Sequence, residues 1–234
     1  MLRRWILSIL MILGAVLVAG CPAPARHAVS APTSAATLVP TMPSGDAASH
    51  LSAASAALDR NDLATAEKEY RDAAALDPSS AKAQFGLGNV YVRQSRFPEA
   101  ETAYKTAAAL DPGMAAAQTN LGVVYYQMGQ LDKASGVLGT ALELEPNDAK
   151  TLYLMAVVRL QQNNLPDAEQ WLAKAQTADP DMPEVYYGLG VLYRLKGQRQ
   201  DAISAFEKFL ATGPGQDPAA MDYARQELES LKAN

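Results

Sequence analysis

Five prolines, Pro78, Pro112, Pro146, Pro180 and Pro214, stand at intervals of 34 residues. A period held over that distance constrains the fold more than any composition can. It demands one small supersecondary unit stacked on copies of itself. Other positions keep the same phase. Twelve residues before each proline comes an alanine: Ala66, Ala100, Ala134, Ala168 and Ala202. Eight before comes a large apolar residue: Tyr70, Tyr104, Leu138, Leu172 and Phe206. Twenty-four before comes a small one: Ala54, Gly88, Gly122, Ala156 and Gly190. The hexapeptide AAALDP, at 73–78 and again at 107–112, is the most literal trace of this register. Low-complexity alanine does not place glycine, aromatic and proline in phase five times.

These residues resemble the tetratricopeptide repeat, a helix–turn–helix of the same 34-residue period with the pattern W-x2-L-G-x2-Y, A-x3-F and P. LGNVY (87–91), LGVVY (121–125) and LGVLY (189–193) are its clearest copies. The tryptophan position carries His50, Gln84, Gln118, Leu152 and Tyr186 instead. The resemblance implies an all-α, right-handed superhelical solenoid of five repeats, at 47–80, 81–114, 115–148, 149–182 and 183–216. Within each repeat the small residues let two helices approach, and the large ones fill the space between them. Asn61, Ser95, Gly129, Asn163 and Gly197 mark the turn, where glycine and asparagine tolerate left-handed backbone. Over 217–234 an Asp217-Pro218 start, with Met221, Ala224, Leu228 and Leu231 on one face, predicts a capping helix with a solvated outer side.

The chain opens on MLRRWILSILMILGAVLVAGC, two arginines, an apolar run and small residues before the only cysteine, Cys21. That is the layout of an export signal, and its apolar run is short for a spanning helix. An uncleaved anchor is the alternative reading. Leu17-Val18-Ala19-Gly20-Cys21 resembles a bacterial lipobox, which implies removal of residues 1–20 and covalent lipid on Cys21, with no other cofactor. Several acyl chains anchor stably where one is marginal. Pro22 after the cysteine is not the aspartate that retains lipoproteins at the inner membrane in some bacteria, which favours the outer membrane where a cell has two. Residues 21–45 hold five prolines among alanine, serine and threonine, a composition expected of a disordered tether.

Removing Arg3 and Arg4 with such a signal leaves 18 basic against 25 acidic side chains, and no basic cluster suited to nucleic acid appears. No constellation for catalysis is evident. His27 and His50 have no metal-ligand partners at useful sequence spacing, so no metal is expected. The expected function is therefore binding: a membrane-anchored extracytoplasmic scaffold, monomeric by itself, that takes a peptide segment or protein partner in its concave groove. By analogy of fold it is similar to repeat lipoproteins of pilus, secretion and envelope assembly. A regulatory subunit of a cell-wall enzyme is the alternative. The register places Phe85, Asn89, Thr119, Asn120, Val123, Tyr126, Lys150, Tyr153, Val157, Tyr187, Val191 and Arg194 on that groove. Asn89, Asn120 and Lys150 fall on three of the five places of the carboxylate clamp of some tetratricopeptide co-chaperones. Phe85 and Leu154 stand at the other two, which implies recognition of peptide backbone rather than of a terminal carboxylate. Exposed aromatic rings beside free amides are expected there, with either amide dispensable for stability.

Overall fold

The computed structural model describes residues 45–212 and 217–233. The signal-like segment, the lipobox at Cys21 and nearly all of the tether lie outside the described residues. Among those described, no helix is long and apolar enough to cross a membrane.

Eleven helices and no strand run through the described residues, as an all-α stack of antiparallel pairs. The pairs are α1 (Ala47–Asp59) with α2 (Leu63–Leu76), and α3 (Ala81–Arg93) with α4 (Phe97–Leu110). Next come α5 (Ala115–Gln127) with α6 (Leu131–Leu144), and α7 (Ala149–Gln161) with α8 (Leu165–Ala178). Then α9 (Pro183–Leu195) pairs with α10 (Arg199–Ala211), and α11 (Pro218–Ala233) closes the stack. Each second helix also packs on the first helix of the following pair, and successive first helices touch along one face. Neighbour contacts of this kind build a superhelical solenoid, with the first helices on its inner side.

The turns follow from backbone chemistry. Asn61, Ser95, Gly129, Asn163 and Gly197 all have positive φ, between 57° and 72°. Left-handed backbone there lets the next N–H reach back and close the helix end. Asp62, Arg96, Gln130, Asn164 and Gln198 donate to the carbonyls of Ala57, Tyr91, Tyr125, Arg159 and Tyr193 at 2.8–2.9 Å. Between pairs, the Asp-Pro step acts differently. Proline has no N–H and keeps its predecessor out of helical angles. Asp77, Asp111 and Asp179 are extended, and each side chain accepts the N–H two residues on, at 3.0–3.1 Å. The Asp-Pro step thus stops one helix and fixes the direction of the next.

The small and large in-phase positions meet as the sequence implies. The ring of Tyr104 lies over Gly88, Leu138 over Gly122 and Phe206 over Gly190. A Cβ on those glycines would come within 2.4, 2.7 and 2.6 Å of the covering side chain. The same large residues also touch the next pair, Tyr70 covering Gly86 and Leu172 covering Gly188. One residue per pair therefore wedges both the helix hairpin and the stacking contact.

At the C-terminal end Phe209 helps to seat the last helix. It is buried edge-on against Tyr187 at 5.3 Å, and α11 docks beside it through Tyr223, 5.8 Å from Tyr187. Ala220, Ala224 and Glu227 form the buried face of α11, with Met221, Leu228 and Leu231 only partly covered. Glu227 was not legible as a buried residue. It pairs with Arg194 at 3.4 Å, and burial holds its carboxyl above the usual range despite that guanidinium and the Tyr223 hydroxyl.

Adding a methyl group at Gly190 forces the Phe206 ring aside, so Gly190→Ala is expected to cost about 1–3 kcal/mol. Gly136, in α6, has open space around its Cβ position, and Gly136→Ala should instead stabilise by ~0.5–1 kcal/mol. Urea unfolding midpoints of the two variants check the opposite signs.

Candidate functional site

The inner face is built from one side of α1, α3, α5, α7 and α9. Val123, Val157 and Val191 share one register position and form its floor, all buried. Tyr126, Tyr153 and Tyr187 were expected as exposed rings, and the structure overturns this, since they are only 3, 6 and 2% exposed. Tyr187 is covered by Phe206, Phe209 and Tyr223, with ring centroids 6.2, 5.3 and 5.8 Å away, and Tyr153 packs against Gly188 of α9. Burial holds all three hydroxyls protonated well above the ordinary phenol range. The Glu184 carboxylate and the Tyr126 phenol add to this at Tyr153, as do the Tyr223 and Tyr153 phenols at Tyr187. The hydroxyls of Tyr126 and Tyr187 are buried without a hydrogen-bond partner among the described residues. Thr119 is likewise interior, sharing a 2.8 Å hydrogen bond with Thr151 across α5 and α7. Arg194 is committed to Glu227 on α11 rather than to an open groove.

What remains accessible lies toward α3, α5 and the start of α7. Phe85 is half-buried, tilted on Tyr104 with ring centroids 5.7 Å apart. Lys150 is exposed, while Leu154, at the remaining clamp position, is buried. Asn89 and Asn120 are half-buried and joined: Asn120 Nδ2 donates to Asn89 Oδ1 at 3.1 Å. The Tyr104 hydroxyl donates to the same Asn89 oxygen at 2.7 Å. Burial pushes the Tyr104 hydroxyl well above the phenol range, with the Asn120 hydrogen bond pulling the other way.

This triad changes the reading of both amides. Asn89 is part of the folded core's polar accounting, because a buried tyrosine hydroxyl depends on it. Each amide nevertheless keeps one unused group. Among the described residues, Asn89 Nδ2 and Asn120 Oδ1 enter no hydrogen bond, leaving one donor and one acceptor side by side. The C=O and N–H of one extended residue offer the complementary acceptor and donor. The floor beneath is apolar and its phenols are neutral, so the arrangement supplies shape and two hydrogen bonds rather than acid–base chemistry.

Sequence spacing missed a second grouping. The fold brings His50 on α1 to Glu69 and Asp72 on α2, with one donor atom from each within 4.8 Å of the others. The expectation that His50 lacks metal-capable neighbours is therefore corrected. The partners lie 19 and 22 residues away in sequence, a separation set by the helix hairpin rather than by any local motif.

Asn89→Ala removes the oxygen to which the Tyr104 hydroxyl donates, so a stability loss of about 1–3 kcal/mol is expected, contrary to the dispensable role read from sequence. Tyr104→Phe in the same background should recover most of that loss. Thermal melts of the two single variants and the double variant give the coupling directly.

Comparison with known proteins agrees with this architecture. Three family models described as tetratricopeptide repeats match residues 51–115, 91–150 together with 136–192, and 184–212. No curated protein sequence matches the chain. Among solved structures, YrrB, described as a TPR protein with an unusual peptide-binding site, is 27% identical with a TM-score of 0.59. That alignment covers 77% of this chain and 92% of YrrB. PilF of Pseudomonas aeruginosa is 21% identical with a TM-score of 0.68, over 80% of this chain and 89% of PilF. TTC0263, a thermophilic TPR protein of Thermus thermophilus, is 20% identical with a TM-score of 0.63, over 80% of this chain and 100% of its own. At those lower identities the likeness is one of fold. The chain belongs to the tetratricopeptide-repeat family, whose fold is typically a non-catalytic scaffold for peptide or protein partners.

Proposed function

We propose that this protein is a lipid-anchored extracytoplasmic scaffold that binds an extended peptide segment of a protein partner on the inner face of its solenoid. The observation that carries the reading is the Asn89–Asn120 pair, with its unused donor and acceptor set beside the half-buried Phe85 ring. Two hydrogen bonds to the N–H and C=O of one extended residue fix the backbone of a ligand, while Phe85 covers one of its side chains. Lys150, exposed at the start of α7, adds one positive charge at the rim. The peptide-binding site named for YrrB supports the same use of the fold. Each net hydrogen bond is worth about 0.5–1.5 kcal/mol, roughly two- to twelvefold in affinity.

Anchoring rests on the lipobox-like residues ending at Cys21. The proline-rich stretch after it, as a random coil, would span ~25–30 Å and hold the repeats off the membrane surface. The setting that suits such a tethered monomer is assembly of an envelope, secretion or pilus complex, on the outer membrane where the cell has two.

A photoreactive residue placed at position 85, on the inner face, is expected to give a discrete protein adduct in intact cells, and one at the outward Thr102 none. Asn120→Ala should cut the adduct several-fold while the protein stays folded, since Tyr104 keeps its Asn89 acceptor. Equal adducts from both faces, or one indifferent to Asn120→Ala, would refute the groove. In the same cells Cys21→Ser should release the protein from the membrane fraction, and unchanged association would refute the lipid anchor.

A further inference from the structure

We propose that His50, Glu69 and Asp72 form a binding site for a divalent transition-metal cation of the zinc class, which clamps the first helix pair. This proposal is independent of the peptide-binding reading. His50 Nδ1 lies 2.6 Å from Glu69 Oε2, and one donor atom from each of the three residues falls within 4.8 Å of the others. An imidazole nitrogen and two carboxylate oxygens are a donor set suited to zinc, with bonds of ~2.0–2.2 Å and water completing a tetrahedron. Ligand atoms around such an ion stand ~3.3–3.6 Å apart, so sub-ångström to ångström adjustments of half-buried side chains suffice.

The repeat architecture shows that this grouping is not a requirement of the fold. Every pair brings the same three register positions together. In the second to fifth pairs they hold Gln84, Ala103 and Thr106; Gln118, Val137 and Thr140; Leu152, Trp171 and Lys174; and Tyr186, Ala205 and Lys208. Their meeting is visible in the structure. Leu152 and Lys174 line one crevice of about 540 Å³, and Lys208 sits 4.5 Å over the Tyr186 ring. In no other repeat can all three residues ligate a metal. Packing alone is served there by neutral, apolar or basic side chains, whereas the first pair concentrates one imidazole and two carboxylates in the same crevice.

Charge favours a cation at this point. Lys68 Nζ already bridges the two carboxylates, 2.7 Å from Asp72 Oδ2 and 3.3 Å from Glu69 Oε1. Its side chain is 67% exposed and can swing outward when a divalent ion takes over that role. The location gives the site a purpose. The His50 ring lies against Gly45, at the entry of the chain into the folded stack, and α1 presents alanines to α2. An ion tying α1 to α2 would secure the end of the solenoid that, among the described residues, has no preceding pair to lean on.

The test uses the full chain purified in detergent, without a histidine tag, stripped with a chelator and titrated with zinc chloride by calorimetry and thermal melting. One equivalent is expected to bind saturably and to raise the melting temperature at about pH 7.5. Binding should weaken steeply below about pH 6, where the imidazole must lose a proton to ligate. His50→Gln and Asp72→Asn should each weaken binding about tenfold or more, with helix content unchanged by circular dichroism before zinc is added. His27→Gln, in the tether, should change nothing. Absence of saturable binding, or binding that both site variants leave intact, overturns the proposal. Should His50→Gln fail to fold, Asp72→Asn, which keeps the size of a side chain that is 26% exposed, decides alone.

Discussion

Every pair in this solenoid depends on a single steric fit, in which a large side chain on the second helix seats over a glycine or alanine on the first. Tyr104 over Gly88 and Phe206 over Gly190 leave no room for a methyl group, so the rings pack directly on the backbone of the first helix. The same large residue then meets the following pair, as Tyr70 meets Gly86. Spacing inside a repeat and spacing between repeats are consequently not independent. The residue that closes a pair thus also helps to seat the pair that follows.

Side-chain size shapes the inner face. Where first helices carry tyrosine, at Tyr126, Tyr153 and Tyr187, the rings are buried and the floor is closed. Where they carry asparagine, at Asn89 and Asn120, the amides are short enough to meet edge to edge and leave polar atoms open. The accessibility of polar groups on the face is thus graded along its length. It is greatest around α3 and α5, and smallest where α11 lies over Tyr187 and engages Arg194 through Glu227.

The two ends of the stack solve the problem of a missing neighbour in different ways. At the C-terminal end α11 takes the place of a further first helix, and it buries a glutamate whose carboxyl burial holds above its usual range. At the other end no described helix precedes α1. The polar network there is correspondingly denser: His50 with Glu69, Lys68 with Asp72, and Arg96 spanning to Glu67 from the next pair. These contacts hold a hairpin whose apolar interface is made largely of alanine, the smallest side chain available to fill it.

The sequence by itself determined the pairs, their turns and their stops. Left-handed turn residues, Asp-Pro steps and the small–large alternation act over a few residues or repeat at a fixed period, and both kinds of signal can be counted along a chain. Asn61, Ser95 and Gly129 could be placed in turns, and Gly122 under a large side chain, with no coordinates at all. Candidate inner-face residues could be named from the same period. What only the tertiary structure decided was how much of each inner-face residue meets solvent, and which polar groups find one another. Asn89 and Asn120 are 31 residues apart, His50 and Glu69 are 19 apart, and Arg194 and Glu227 stand on helices that share no local motif. Hydrogen bonds and ion pairs need atoms placed to a few tenths of an ångström. A 34-residue period fixes which faces of two helices meet, but side-chain packing across them sets the distances that decide whether a polar pair forms.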